Sequence, residues 1–385
     1  MQVLATEEQR LIHQTVREFA RDEVRPHAPA WDREGRFPME LVPRLAALGL
    51  LGMTIPVEFG GSGLEMKAIA VAIEALAWGD GGLALAVASH NSLCSGHIAA
   101  FASDAQRRRF LPRLASGEAL GAWCLTEPGA GSDAAEIQTR AERRGDHWVL
   151  NGTKVFVTQG SVGGTYVVMA VTDPAAGRAG ITVFVVERGT PGLEIGRKED
   201  KLGVRSSDTA EVRFVDCAVP DAHRLGPAGD GYRQAMRTLE RGRIGIAAMA
   251  VGIGRAGLDA SLAYARERVA YGRPIASLQA IQFMLADMAT ELDAAWLLTE
   301  RAADLADRGD PFRLEASMAK LYASEAAARA ANKAVQIHGG YGFIKDYPVE
   351  RFYRDIKLCE IGEGTSEVQR AIISRAVLEN AGGDR

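Results

Sequence analysis

From Glu7 onward apolar residues recur at helical spacing: Ile12, Val16 and Phe19 share a face, and the stripe stops at Arg25-Pro26. Thr6 and Gln9 have the spacing of a capping box, which predicts where this helix starts. The same period predicts helices over 39–48, 64–78, 83–101 and 104–114, so residues 1–120 read as a helical domain. Between two of them, Ile55-Pro-Val-Glu-Phe-Gly-Gly-Ser-Gly63 has no helical period and fits neither common nucleotide fingerprint; it reads as a turn. The most apolar window, Gly81 to Ala102, is interrupted by His90, Asn91 and His97 and reads as a buried helix rather than a membrane span.

The period then changes. Over residues 121–230 short β-type runs at 165–171, 181–187 and 209–214 alternate with Asp-Pro and Thr-Pro-Gly turn chemistry. Trp148 to Val157 carries Asn151-Gly152 at its centre, which predicts a two-residue hairpin turn there. No helix-length segment separates these runs, so a middle antiparallel β domain is expected. Long helices return at 232–269, 278–307, 312–337 and 349–359, making residues 231–385 a C-terminal four-helix bundle. Small and large apolar residues alternate from Ile244 to Gly252, which allows close helix contact. The fold class is therefore α+β and multidomain.

Composition narrows the function classes. A chain of 385 residues with 47% hydrophobic and 24% charged residues exceeds one core and suits a soluble globular protein. A net charge of −4, with no basic run longer than Arg107-Arg108-Arg109, gives no footprint for nucleic acid. The 4 cysteines are far apart and form no CxxC pair, which argues for a reducing compartment and against a metal site. Glu7 and Glu8 follow Met1 closely, so neither a signal nor a transit peptide is read, and a cytoplasmic location is expected.

Candidate chemistry centres on Glu363, a carboxylate between Gly362 and Gly364, ahead of a helix that Ser366 and Gln369 are expected to open as a capping box. A general base needs such presentation. The loop from Trp123 to Asp133 pairs glycines with the hydroxyls of Thr126 and Ser132, which suits an oxygen-rich or heteroaromatic ligand. Arg243, Arg268 and Arg273 stand near helix ends, and His338 reads as structural.

Taken together, Leu125-Thr-Glu-Pro-Gly-Ala-Gly-Ser-Asp133, Asn151-Gly-Thr-Lys154, Arg268-x-x-Tyr-Gly272, Gln336-Ile-His-Gly-Gly-Tyr-Gly342 and Glu363-Gly-Thr-Ser-Glu-Val-Gln-Arg370 resemble the acyl-CoA dehydrogenase family over essentially the whole chain. The resemblance implies a flavoprotein homotetramer with FAD between domains and subunits. It also implies α,β-desaturation of an acyl-CoA to the trans-2-enoyl-CoA, in fatty acid or branched-chain amino acid breakdown, with electron-transferring flavoprotein as acceptor. By position it makes Glu363 the base, its N–H a contact of the thioester oxygen, and Trp123, Leu125, Thr126, Ser132, Phe156 and Thr158 the border of the flavin ring. It gives Arg268 and Gln279 to the diphosphate and adenosine part of a neighbouring subunit's FAD, and Gln336, Gly339, Gly340, Thr365 and Glu367 to the remaining cofactor contacts. Ser132, Ser207, Arg243 and Gly364 match contacts of the CoA thioester. In some members the base lies on the long helix instead; that position is Gly242 here, and Glu240, two residues earlier, should face about 200° away. Many straight-chain members carry an aromatic residue where this chain has Gly362, a loss of bulk that widens the pocket toward a branched acyl group, while the helix start from Glu240 to Gly252 most resembles the short-chain members, so a short/medium or branched acyl-CoA is the expected substrate. An oxidase, a carrier-protein dehydrogenase and a non-catalytic helical scaffold are the competing readings.

Overall fold

The computed structural model describes residues 6–382; the outermost ends of the first and last predicted domains, 1–5 and 383–385, lie outside the described residues. Helices α1 (Glu7–Phe19), α2 (Ala28–Glu34), α3 (Val42–Ala47), α4 (Met66–Gly79), α5 (Gly81–Ser89), α6 (Gly96–Phe101) and α7 (Asp104–Ala115) form the N-terminal part. The capping box of Thr6 and Gln9 is present, with Gln9 N donating to Thr6 Oγ1 at 3.2 Å and Thr6 N to Gln9 Oε1 at 3.1 Å. The apolar window that reads as one helix is α5 and α6 joined by a π-helical segment, His90–Ser95, and is largely buried. Helix α2 was not foreseen, because its apolar contacts reduce to Ala28 and Trp31.

Strands β1 (Gly121–Cys124), β2 (Arg140–Arg144), β3 (His147–Thr158), β4 (Thr165–Val171), β5 (Ile181–Glu187), β6 (Leu193–Lys198), β7 (Thr209–Pro220) and β8 (Arg224–Leu225) form one 8-stranded sheet. Its order is β6-β7-β3-β2-β4-β5-β8, with β1 against β4. Most pairs are antiparallel as expected, but β4 pairs in parallel with β1 and with β2, so the sheet is mixed. The predicted hairpin at Asn151-Gly152 does not turn. β3 runs straight through these residues, with a register shift against β7 between Leu150 and Gly152, and the tight connection lies instead between β2 and β3 at Gly145-Asp146. Gly152 is needed for close approach: an added Cβ would stand 2.7 Å from Cα of Thr139.

Period-two alternation divides the sheet between two cores. Val167, Met169, Val183 and Val185 pack on Phe110, Leu111 and Leu114 of α7, while Tyr166, Val168, Phe184 and Val186 pack with Leu150, Val212 and Phe214. Helices α8 (Gly231–Glu267), α9 (Gln279–Arg308), α10 (Arg313–His338) and α11 (Val349–Ile361) make the bundle, and α12 (Ser366–Gly382) lies on α10. α8 is long and apolar enough to cross a membrane, yet 67% of its most apolar window is buried inside the fold, as for a core helix. The two helical parts share a core: Leu76, Leu83 and Val87 of α4 and α5 pack with Ile246, Met249, Ile253 and Ile356 of the bundle.

A buried polar junction then fixes α11, the helix that leads to Glu363. Asp355 accepts from Val204 N at 2.5 Å, and Asp80, which caps α5 through Leu83 N at 2.9 Å, also accepts from Ser206 Oγ. Arg354 grips Asp32 of α2 with both terminal nitrogens, at 2.9 and 2.7 Å. Three parts of the chain therefore meet on one turn of α11.

The α4–α8 crossing depends on Gly252, where an added Cβ would collide with the Glu74 carbonyl oxygen and stand 2.8 Å from Ala77 Cβ. Gly252→Val is expected to destabilise the protein by about 1–3 kcal/mol through overpacking. Thermal unfolding measures it, and an unchanged midpoint would show that the helices can separate at no cost.

Candidate active site

Helix α11 ends at Ile361, and Gly362 N still donates to Leu358 O at 2.8 Å. The chain then takes two left-handed residues in succession, Glu363 (φ 55°) and Gly364 (φ 96°). For glutamate that conformation costs roughly 1–2 kcal/mol, so other contacts must impose it. Lys320 Nζ donates to Gly364 O at 2.6 Å, and Gln369 Nε2 donates to the same oxygen at 2.9 Å and to Glu363 O at 3.3 Å. The helix beyond is capped by Thr365, whose Oγ1 accepts from Val368 N at 3.3 Å. The expected capping box of Ser366 and Gln369 is not formed, because Gln369 is turned back onto the Glu363-Gly364 carbonyls and Ser366 Oγ is buried without a partner.

This turn aims the Glu363 carboxylate inward. Although the residue is only partly covered, Oε2 is buried and meets no hydrogen-bond donor. It occupies the space beside Gly242 of α8, where an added Cβ would fall on the carboxylate oxygen. Burial pushes the carboxyl up to about 7; Lys320 and then Arg243 pull the other way. Arg243 is 5% exposed, with Nη1 3.5 Å from Ser317 Oγ and Nε unpartnered. Burial lowers its proton affinity, against the attraction of Glu240 and Glu363. Glu240 is half-buried and faces Arg313 at 3.8 Å, so it lies on a different side of α8 from Gly242.

The middle domain contributes a second polar centre. Lys154 Nζ is wholly buried and donates to Glu127 Oε1 at 2.7 Å and to Leu125 O at 3.1 Å. Glu127 in turn accepts from Gln138 N at 2.6 Å and Thr139 N at 3.0 Å. Burial raises the proton affinity of this carboxyl, but Lys154 together with the donors at Thr139 and Gln138 holds it below its ordinary range. With Val155 N donating to Thr126 O at 2.9 Å, the pair binds the Trp123–Ser132 segment to β3. Immediately beyond, β3 shifts register, and Phe156 is thrown out at φ 57° with 65% of its surface exposed. Thr126 and Thr158 are part-exposed on these same adjoining segments, and Ser132 is exposed.

A cleft of about 530 Å³ lies at the far end of α10, lined by Tyr264, Arg268, His338, Gly339, Gly340 and Tyr341 among others. His338 is structural: Nδ1 bonds Ala334 O at 2.8 Å, and the ring stacks on Tyr264 at 4.3 Å. Arg268 is exposed, with its guanidinium 5.7 Å from the Tyr341 ring centre. Gln279 and Gln336 are exposed at the start of α9 and near the end of α10.

Comparison with known proteins places this geometry. Models of the N-terminal, middle and C-terminal domains of acyl-CoA dehydrogenase match residues 6–118, 122–217 and 229–378. The chain belongs to the acyl-CoA dehydrogenase family. It is 46% identical to the human mitochondrial short-chain specific acyl-CoA dehydrogenase, over 97% of this chain and 91% of that one. Butyryl-CoA dehydrogenase from Megasphaera elsdenii superposes with a TM-score of 0.96 at 40% identity, covering 98% of this chain and 100% of that chain. A chain from the solved structure of the electron transferring flavoprotein of Acidaminococcus fermentans does so at 0.96 and 42%, again covering 98% and 100%.

Acyl-CoA dehydrogenases are FAD-dependent flavoproteins, and the residues of this dehydrogenase fit that cofactor. The exposed Arg268 guanidinium beside side-chain-free Gly339 and Gly340 suits a diphosphate. The solvent-facing Phe156 ring, with Thr126 and Thr158 near it in the chain fold, suits a flat heteroaromatic ring with a polar edge. Thr365 is engaged as the α12 cap, and Glu367 is exposed on the first turn. Ser207, matched to a CoA contact, is instead wholly buried, because Gly82 of α5 packs against it; an added Cβ at Gly82 would stand 2.8 Å from Ser207 N. Arg243 lies close enough to the Glu363 carboxylate to act on it, and Gly364 continues the same left-handed turn. Sequence reasoning gave no role to Lys320, although its setting in Ala316-Ser-Met-Ala-Lys-Leu-Tyr-Ala323 puts a lysine on a stripe of small residues, a pattern that marks a buried face.

Gly242→Ala places a methyl group on the seat of the Glu363 carboxylate. Since the neighbour is the end of a flexible side chain, turnover is expected to fall by at least about tenfold while stability changes by less than about 1 kcal/mol. Steady-state kinetics with thermal unfolding checks this; unaltered turnover would mean that the carboxylate works from elsewhere.

Proposed function

We propose that this acyl-CoA dehydrogenase desaturates a short or branched acyl-CoA to the trans-2-enoyl-CoA, with Glu363 removing the α-proton. The observation that carries the reading is the Glu363 carboxylate itself: buried, unpartnered at Oε2, and raised to about 7. A base whose proton affinity is matched to working pH both takes and releases a proton with little loss.

FAD, when bound, supplies the acceptor for the hydride that leaves the β-carbon. The chain's own residues do the rest. Gly242 leaves the carboxylate room to turn toward a substrate carbon. Among the described residues no backbone carbonyl accepts from Glu363 N–H, which leaves that donor for a thioester oxygen as enolate charge develops there. Arg243 and Lys320 set positive charge behind the site, which favours the same redistribution. Gly362 has ordinary backbone angles (φ −66°, ψ 150°), and an added Cβ would make only normal contacts with Leu358 at 3.5–3.7 Å. Neither strain nor crowding demands glycine there, so the missing side chain is read as space for the acyl group.

Electron-transferring flavoprotein is the proposed acceptor, supported by the likeness to the Acidaminococcus chain. Assembly into a homotetramer is supported by large apolar residues left open on the bundle, among them Tyr271 (91% exposed), Phe283 (60%) and Phe343 (88%). The cytoplasmic assignment is supported by all four cysteines being free and buried.

Anaerobic bleaching of the FAD-loaded protein by butyryl-CoA tests the reaction. Glu363→Gln should slow it by about 10³-fold, and retention of near-normal rates would remove Glu363 from the mechanism. Because the carboxyl must be ionised to act, kcat/KM should rise with pH through about 7 and level off above it. Gly362→Tyr should lower the preference for isobutyryl-CoA over butyryl-CoA by about fivefold or more, on the scale of one methylene or somewhat above. An unchanged ratio would move the selectivity elsewhere.

A further inference from the structure

Lys320 stands about two turns into α10, is wholly buried, and makes its hydrogen bond to Gly364 O at 2.6 Å. No carboxylate lies within ion-pair distance of its nitrogen among the described residues, so this ammonium is held in the interior without a close counter-ion. Such burial is costly. If tying down a carbonyl were the whole need, Gln369 Nε2 already donates to the same oxygen at 2.9 Å. Ser317, one turn earlier on the same face of α10, reaches Arg243, so this face addresses both cations that flank Glu363.

We propose that Lys320 is a positioning residue for the catalytic base: its positive charge, anchored at Gly364 O, holds Glu363 as a carboxylate in the left-handed turn. This rests on Glu363 being the base. The charged and titratable groups around the pair are Glu240 and Arg243 from α8, Arg313 at the start of α10, and Cys359 and Glu360 from α11. Of the cations, Lys320 acts more strongly on Glu363 than Arg243 does. Burial brings Lys320 itself down to about 8, against the pull of Cys359 and Glu363, so it is still charged when Glu363 ionises. A nearby cation favours the ionised carboxyl, so its removal raises the carboxyl's proton affinity and leaves less base at neutral pH.

The test uses the FAD-loaded enzyme and the exchange of deuterium from C2 of labelled butyryl-CoA into water, without oxygen or any external electron acceptor, so that net desaturation stops after one flavin equivalent and the exchange that continues beyond it reads proton removal and return. Thermal unfolding of each variant is recorded alongside. Lys320→Gln can keep the hydrogen bond to Gly364 and loses the charge; Lys320→Met loses both. In both, the pH midpoint of exchange is expected to rise by about one unit, which at pH 7 means several-fold slower exchange, and the Met variant should also unfold at lower temperature. A wild-type midpoint in Lys320→Gln, with or without a foldable Met variant, would overturn the proposal and leave the lysine as a neutral tie. Glu363→Gln in the same assay separates the two claims: persistent exchange there defeats the assignment of the base, whereas its loss together with an unshifted Lys320→Gln profile defeats only the role of the lysine.

Discussion

The burial of one carboxylate in the space of a missing side chain is the constraint on which the rest of the site depends. Glu363 reaches that space only because the chain reverses through two left-handed residues, and its Oε2 can lie there only because Gly242 offers no Cβ. Desolvation raises the carboxyl's proton affinity, and two buried cations keep the rise from going further. Too much of either would spoil the proposed base: an unopposed buried carboxyl stays protonated, and a tightly ion-paired one is too weak to remove a proton.

The turn is held from several directions. α11 carries it, and α11 is fixed by Asp355 against Val204 of the middle domain and by Arg354 against Asp32 of α2. α10 reaches across with Lys320, α12 reaches back with Gln369, and α8 supplies Gly242 and Arg243. Since α8 packs on α4 and α5 in one continuous core, the N-terminal helices, although distant in sequence, help set the wall against which the carboxylate rests. On the sheet, Lys154 ties the Trp123–Ser132 segment as Lys320 ties the Glu363 turn, each buried cation donating to a loop carbonyl, but Lys154 also pairs directly with a carboxylate, Glu127.

Much of this was legible in the chain itself. The helical period of α1, α4, α7 and α8 to α11, the β-type runs of β4 and β5, the capping box at Thr6, and Glu363 between two glycines all follow from local pattern, since each depends on residues a few positions apart. The motifs in register gave the family. Tertiary structure decided what depends on distant partners. Asn151-Gly152 had the chemistry of a hairpin, yet the neighbouring β7 on one side and Thr139 on the other hold it in a continuous strand. Ser366 and Gln369 had the spacing of a cap, yet Gln369 found stronger use on the carbonyls of the reversed turn. Ser207, matched by resemblance to a CoA contact, is sealed by Gly82, while Arg243 and Lys320, by type surface residues, are buried near the Glu363 turn. Spacing along a chain fixes which groups can be neighbours within one element. Whether a charge is desolvated, and by what it is offset, is settled only when elements distant along the chain pack together.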